Sequence, residues 1–474
     1  MIAPILVWFR RDLRLSDHTA LNAALDLSAP VLPAFIFDPA LLRGPHFSPA
    51  RLAFLLAGLE SLDQRLREFG SRLIVRTGEP AHVLRALVDE TNADAVHASR
   101  DVSPFAITRD ARAAEALAVP LRLFDDALLQ PPEAISKADG GSFTVFTPFS
   151  RAWSALPAPA PDERRLRADH FADSSAIPCE AIPSLTDLGY SNAVRLPKAG
   201  EAAARRLLTD FTAGPIFEYS DGRNVLGGPA WAEGNAGTSA LSPYLRFGML
   251  SPRQALAAAQ SARSKAASAE ARNSAYSWVN ELAWREFYAN ILFHFPQVLK
   301  GTFKPQYAAM DWRHSVGELE RWKAGLTGYP VVDAAMRQLV ATGWMHNRAR
   351  MVVASFLSKD LLHYWAEGEA FFMQHLLDGD PASNNGGWQW TAGTGTDAQP
   401  FFRIFNPLLQ SQRYDPNGDY IRAWVPELRG TPTESIHAPW QMANPPRDYP
   451  APLVDHYFAR DRALAALASV KGNA

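Results

Sequence analysis

Five short apolar runs alternate with amphipathic helical segments over the first quarter of the chain, and this alternation leaves few folds open. The runs are Ile5-Leu-Val-Trp-Phe9, Val31 to Phe37, Leu73 to Arg76, Ala95 to Ala98 and Leu121 to Phe124. The clearest helical segment spans 50–69, with Leu52, Leu55, Leu56, Leu59, Leu62, Leu66 and Phe69 on one stripe. Ser48-Pro49 caps its start and Gly70 ends it. Strands separated by helices pair in parallel, because only a crossover returns the chain to the same edge. Residues 1–125 are therefore predicted to form an α/β domain, a doubly wound parallel five-stranded sheet. Arg10-Arg-Asp-Leu-Arg14 follows the first strand where a dinucleotide fold carries its Gly-rich turn, which disfavours ordinary NAD binding.

A chain of 474 residues is too long for one core. Residues 126–200 hold nine prolines, Pro157, Pro159 and Pro161 among them, and read as a surface connector without long helices. From 201 to 474 the pattern is helical almost throughout, with no internal repeat. No apolar run reaches bilayer length, and Arg10, Arg11, Asp12 and Arg14 follow the short Ile5–Phe9 run, unlike a cleavable signal. A cytoplasmic protein is expected, with no membrane partner. Cys179 is the single cysteine, so an intrachain disulfide and a cysteine metal cage are excluded, and no metal site is expected. A net charge of −2 argues against an indiscriminate nucleic-acid coat but leaves room for a local basic face.

Chemistry concentrates in the second half. Ten of the thirteen tryptophans fall after residue 270, more than packing alone asks for, so this half is expected to bind something aromatic. Asn347, Arg350 and Met351 share one helix face by spacing, and Asp378 is a partner for the Arg350 guanidinium. Gly386-Gly387 is expected to permit a backbone turn. An ion pair pinning a loop to a helix is the plainer reading of these residues taken alone. Thr238 to Tyr244 places hydroxyls at a helix start, either a plain N-cap or a phosphate seat. On the helix around 278–288, Glu281, Trp284, Arg285 and Tyr288 form one stripe. A core stripe would be aliphatic and a solvated one would not use Trp, so this composition fits a site wall.

Val7-Trp-Phe-Arg-Arg-Asp-Leu-Arg14, Asn280-Glu-Leu-Ala-Trp-Arg-Glu-Phe-Tyr288, Thr327 to Arg337, Trp344 to Arg350 and Asp378 to Trp390 together resemble the photolyase/cryptochrome family over nearly the whole chain. Bacterial class I cyclobutane pyrimidine dimer photolyases are the most similar members. The resemblance implies an α/β domain, a long linker and an all-α FAD-binding domain. It implies that Tyr219, Thr238, Ser239, Leu241 and Ser242 hold the diphosphate. Trp278, Arg285, Asn347, Arg350, Asp378, Gly379, Asp380 and Asn384 surround the rest of the FAD, with Asn384 facing flavin N5. A neutral amide there suits an anionic reduced flavin. Ala240 stands where the family often has Arg, which removes one side-chain contact.

The implied reaction is light-driven repair: excited FADH⁻ lends an electron to a pyrimidine dimer in UV-damaged DNA, the cyclobutane splits and the electron returns. Glu281 would bond the dimer's carbonyl edge, Trp284 and Trp390 would wedge against the flipped lesion, and Asn347 and Met351 would complete the pocket. Trp388, Trp365 and Trp312 fall at the positions of the family's electron path to the surface. DNA contacts are expected from Arg223, Arg348, Arg403 and Gln410, beside Glu281, Trp284 and Asn347. Folate-binding members carry an Asn-Glu pair after the fourth strand. Asp101 to Asp110 lacks it, so a deazaflavin- or flavin-type antenna is favoured over folate. A monomer is expected. Competing readings are a cryptochrome-type photoreceptor, a (6-4) photolyase, whose His pair is unmatched where Asn347-Arg348 follows His346, and a helical nucleic-acid-binding module without photochemistry.

Overall fold

The computed structural model describes residues 2–227, 237–398, 400 and 403–472. The chain groups into two compact units: Met1–Asn192 with Pro197–Phe217 and Ser239–Pro296, and Ala193–Leu196 with Glu218–Thr238 and Gln297–Ala474.

In the first unit, β1 (Ile5–Phe9), β2 (Val31–Phe37), β3 (Ile74–Thr77), β4 (Ala95–Ser99) and β5 (Leu121–Phe124) form one parallel sheet in the order β3-β2-β1-β4-β5. The expected doubly wound sheet is present, and the strands match the apolar runs to within a residue. Between the strands run α1 (Thr19–Asp26), α2 (Pro49–Arg67), α3 (Pro80–Thr91) and α4 (Pro104–Ala116). Every residue of β1 and β2 is buried, as parallel strands covered on both faces require. Leu6, Trp8, Leu32, Ile36 and Val96 pack with Leu84, Leu87 and Val88 of α3. Ser48 caps α2 by accepting from the Arg51 N–H at 3.3 Å, and Gly70 stands beyond its end at φ +72°.

The proline-rich stretch is not without helix: α5 (Phe146–Ala155) forms within it, since Pro148 falls in the first turn where its missing N–H costs nothing. Then come α6 (Glu201–Ala213), α7 (Pro252–Lys265) and the long α8 (Ala269–His294). Ser251 and Gln254 make a reciprocal capping box on α7.

Three ion pairs among four side chains interlock in the core of this unit. Arg14 donates to both oxygens of Asp126, at 2.6 and 2.8 Å, and Arg253 forks between Asp17 (3.0 Å) and Asp126 (2.8 Å). All four side chains are at most 4% exposed. Burial alone would raise Asp126, but Arg14, His18 and Arg253 outweigh it and hold the carboxyl well below its usual range. The Arg10–Arg14 run thus carries an architectural duty. Leu13 also donates to Phe247 O at 3.0 Å, and a Cβ at Gly248 (φ +59°) would run into the Arg11–Asp12 backbone.

The second unit is helical among its described residues: α9 (Pro330–Thr342), α10 (Asn347–Ser355), α11 (Trp365–His375), α12 (Pro381–Ala392), α13 (Pro407–Tyr414) and α14 (His456–Gly472) are its longer helices. Its core gathers Trp322, Val332, Met336, Val352, Phe356, Leu361, Trp365 and Trp388. The apolar run after Asn347 is buried as its spacing predicts. It is not one α-helix, however, because Phe356–Asp360 forms a π turn before Leu362, at φ +57°, reverses the chain.

Replacing Arg253 with Met leaves the Asp17 carboxylate buried without its guanidinium. The expected loss is about 3 kcal/mol or more of unfolding free energy, read from urea titrations.

Candidate active site

In the first unit the site residues ride on α8. Ser268 caps it, accepting from the Ala271 N–H at 3.1 Å. One face, with Leu282, Phe287 and Ile291, is core. Glu281, Trp284, Arg285 and Tyr288 are all half-buried. Their helical spacing puts the four on one face of α8. Trp284 stacks flat on Phe146, centroids 3.7 Å apart and planes 5° from parallel, and leans on Phe287 and Tyr288. Arg285 donates to Ala127 O at 2.7 Å. Behind them Glu286, fully buried, accepts from the Trp153 indole at 2.7 Å and from the Leu129 and Gln130 N–H groups, which ties α8 to α5 and the connector. Burial outweighs those donors and raises its pKa.

Trp278, 3% exposed, donates its indole N–H to Ser239 Oγ at 3.1 Å. Leu241 is buried and Ser242 exposed at the start of a single helical turn, Ser242–Arg246. The helix start expected here exists but is short. Ala240 before it takes a left-handed φ of +51°, a conformation that L residues other than Asn and Asp seldom adopt.

In the second unit Arg350 donates to Asp378 Oδ2 at 2.9 Å and to Met345 O at 2.9 Å, the pair expected from sequence. Asp380 caps α12, its Oδ1 accepting from the Ala382 and Ser383 N–H groups at 3.0 and 3.1 Å. Gly379 stands between the two carboxylates. Gly386 and Gly387 make no turn, contrary to expectation. With Asp380 and Pro381 starting the helix, both glycines continue it, and a Cβ at Gly387 would meet nothing within 4 Å. Asn384, 9% exposed, donates to Glu369 O at 3.0 Å and to its Oε1 at 3.2 Å. Burial pushes Glu369 up to about 7, against the opposing pull of that amide. Tyr219 is buried, and Gly222 sits so close to Gly237 that a Cβ on Gly237 would overlap its backbone.

Trp388 and Trp365 are each 2% exposed, and neither indole N–H has an acceptor. Gly368 lets the Trp388 ring lie against α11, where a Cβ would collide with it. Trp312 and Trp390 are half-buried. Arg348 donates to Asn224 Oδ1 at 2.8 Å, lies 4.6 Å over the Tyr414 ring and contacts Met351 Sδ at 3.7 Å. Burial and the charges of Arg223, Arg413 and Arg403 lower its pKa, so positive charge is gathered here. Arg223 lies 5.2 Å over Tyr219, Arg403 is exposed, and Gln410 is half-buried on α13.

At the carboxyl ends of β1 and β4, where an open α/β sheet takes ligands, Arg10 pairs with Asp110 at 2.6 Å and Arg11 with Asp101 at 3.0 Å. Arg10 and Arg109 both lie over Trp8, at 4.6 and 4.9 Å.

Two family models match, DNA photolyase over residues 5–164 and the FAD binding domain of DNA photolyase over 278–469. A Synechococcus sp. relative named deoxyribodipyrimidine photo-lyase is 42% identical over 466 residues, covering 96% of this chain and 94% of its own. The chain belongs to the DNA photolyase family. A crystallised class III photolyase from Agrobacterium tumefaciens is similar at TM-score 0.89 and 37% identity, covering 100% of this chain and 98% of its own. A Synechocystis sp. cryptochrome is similar at TM-score 0.88 and 28% identity, with 98% and 99% covered.

Two buried polar atoms, Asp378 Oδ1 in the matched FAD-binding domain and Thr238 Oγ1 ahead of it, fit a polar cofactor such as FAD. Asp378 Oδ1 and Thr238 Oγ1 are buried with no protein partner, one an acceptor for a hydroxyl or N–H and the other a donor for a phosphate. Sequence reasoning did not find Phe146, Glu369 or Asn224. Phe146 had a signal in the aromatic run Phe143 to Phe149, and Glu369 in its position four residues after Trp365.

Glu369 is expected to make stability pH-dependent. Its folded pKa of about 7 exceeds the ordinary 4.5, so its contribution is full below 4.5 and is lost as pH rises through about 7. Glu369→Gln should flatten the urea midpoint over that window.

Proposed function

We propose that this protein is a light-driven DNA repair enzyme, a deoxyribodipyrimidine photo-lyase that splits cyclobutane pyrimidine dimers. The observation that carries the reading is the half-buried stripe Glu281, Trp284, Arg285 and Tyr288, held open on α8 with Trp284 backed by a coplanar Phe146. An aromatic face braced this way is suited to stacking on an extruded base.

FAD, bound in reduced form, supplies the light-absorbing electron donor. Tyr219, Thr238, Ser239, Leu241, Ser242, Trp278, Arg285, Asn347, Arg350, Asp378, Gly379, Asp380 and Asn384 are the residues assigned to it. Asn384 offers a neutral amide, held in place by Glu369, toward flavin N5. Glu281 hydrogen-bonds the carbonyl edge of the dimer and favours the charge that develops there. Trp284 and Trp390 present apolar faces that exclude water from the lesion, while Asn347 and Met351 close the pocket. Trp388, Trp365 and Trp312 carry electrons inward from the surface. Because the first two indoles lack a proton acceptor, they stay protonated when oxidised and pass the charge on.

Arg223, Arg348, Arg403 and Gln410 bind the damaged strand's phosphates, with Asn224 and Tyr414 aiming Arg348. The second chromophore is of deazaflavin or flavin type rather than folate. The working form is a cytoplasmic monomer, and among the described residues no helix is long and apolar enough to cross a membrane. The (6-4) reading loses further support at His346, which is buried and serves as the cap of α10, accepting from the Arg348 N–H at 3.1 Å.

The deciding experiment is repair of a thymine-dimer oligonucleotide, lit against dark. Light-dependent repair is expected, and photoreduction of flavin without repair would point to the photoreceptor reading. Glu281→Ala should lower the repair quantum yield several-fold with FAD still bound; an unchanged yield removes its assigned role. Arg348→Ala should weaken binding to dimer-containing DNA and reduce the slope of log affinity against log salt by about one. Equal slopes would clear Arg348 of phosphate contact.

A further inference from the structure

Lys359 is the one buried lysine among the described residues, at 0% exposure, and takes no part in the function proposed above. It sits in the π turn, Phe356–Asp360, that follows α10. Its ammonium donates to Arg403 O at 3.0 Å. Burial pushes its pKa down to about 7; the Asp360 carboxylate opposes that shift and the Arg403 guanidinium adds to it. Asp360 itself pairs with His456 at 2.6 Å. A buried ammonium is a poor way to fill a core, because an apolar side chain of similar length packs there without losing hydration. The lysine is explained instead by what it holds.

Residues 403–406 form neither helix nor strand and lead into α13. Side chains from several elements pin them. Ile404 packs against Tyr307, Met310 and Leu362. The Phe405 N–H donates to Ser355 Oγ at 3.4 Å, and Asn406 caps α13, accepting from the Leu408 and Leu409 N–H groups at 3.0 and 3.2 Å. Ser355 and Lys359, four positions apart where α10 passes into the π turn, grip the same stretch of backbone. Lys359 holds the end from which Arg403 projects. That guanidinium is exposed, lies 5.9 Å over the Phe405 ring, and is one of the cations whose charges act on Arg348.

We propose that Lys359 is a positioning residue for damaged DNA, fixing the Arg403 backbone so that its guanidinium meets a phosphate on backbone already ordered. This inference rests on the phosphate contact proposed above for Arg403 and adds the residue that makes the contact effective. An arginine on irregular backbone loses both backbone and side-chain freedom when it binds an anion. With its carbonyl held by Lys359, the backbone part is given up on folding, and only the side chain remains to be ordered on the DNA. The buried ammonium also places a second positive charge close beneath that surface, where little water screens it. Lys359 acts through Arg403 and has no part in electron transfer.

The test is binding of a thymine-dimer duplex to the FAD-loaded, full-length protein in the dark, across a salt series. Lys359→Met keeps nearly the length of the side chain and removes its charge and donor. It should weaken binding several-fold and reduce the slope of log affinity against log salt by about one, as Arg403→Ala does. In the double variant the two losses should not add, because without the guanidinium Lys359 has nothing to position. Under light, KM for the duplex should rise in Lys359→Met with kcat unchanged. Lys359→Gln, polar but a bond too short for the carbonyl, repeats the test should methionine lower FAD content or the urea midpoint. Wild-type affinity and slope in these variants overturn the inference. So does a loss that adds in full to that of Arg403→Ala, or a fall in kcat at unchanged KM. If Arg403→Ala weakens binding while Lys359→Met does not, the phosphate contact stands and Lys359 falls. If Arg403→Ala itself leaves affinity and slope unchanged, the contact falls and the inference with it.

Discussion

Four buried charges set the frame on which the first unit is built. Asp17 and Asp126 leave water completely, and each is tolerable there only because Arg14 and Arg253 satisfy it through several charge-assisted bonds. Geometry is the consequence. Asp126 lies just past β5, Arg14 just past β1, and Arg253 in the first turn of α7. One network therefore fixes a sheet edge, the central strand and the helix that precedes α8. The direction in which α8 presents Glu281 and Trp284 depends on that fixed point, although none of the four charges touches the stripe.

A similar economy governs the second unit, where helix ends and backbone exceptions do the positioning. Asp380 spends one oxygen on two N–H groups of α12, and this sets where Asn384 and Trp388 point. Gly368 accommodates Trp388 against α11, and Leu362 turns the chain so that Tyr364 and Trp365 follow one another into the core. Asn384 in turn is held by Glu369, a carboxyl that burial keeps near its protonation midpoint at neutral pH. Polar groups in this unit are thus positioned by local backbone features more than by long-range charge.

Much of this was legible beforehand. Apolar runs marked all five strands, most plainly β1 and β2, where every residue is buried and must be apolar, and β2 matched from Val31 to Phe37. Ser48 and Gly70 marked the ends of α2. The i, i+3, i+4, i+7 spacing put Glu281, Trp284, Arg285 and Tyr288 on one face, and charge complementarity matched Arg350 to Asp378. Local rules failed where a neighbour in sequence competed with them. Gly386-Gly387 signals a turn on its own, but the Asp380-Pro381 helix start upstream carries the chain through it. The π turn at Phe356–Asp360 leaves no trace in apolar spacing, because all its residues are buried whichever way they wind.

The sequence by itself determined which elements form, which faces are apolar, and the motif residues that mark the photolyase family, because these depend on neighbours within a few positions along the chain. Tertiary structure alone decided that Phe146 backs Trp284, that Glu369 holds Asn384, and that Trp312 lies against Tyr364. Each of those pairs joins residues whose separation along the chain carries no periodic signal, and each partner is fixed only once helices and strands have packed and a buried ring or amide must find a surface to meet.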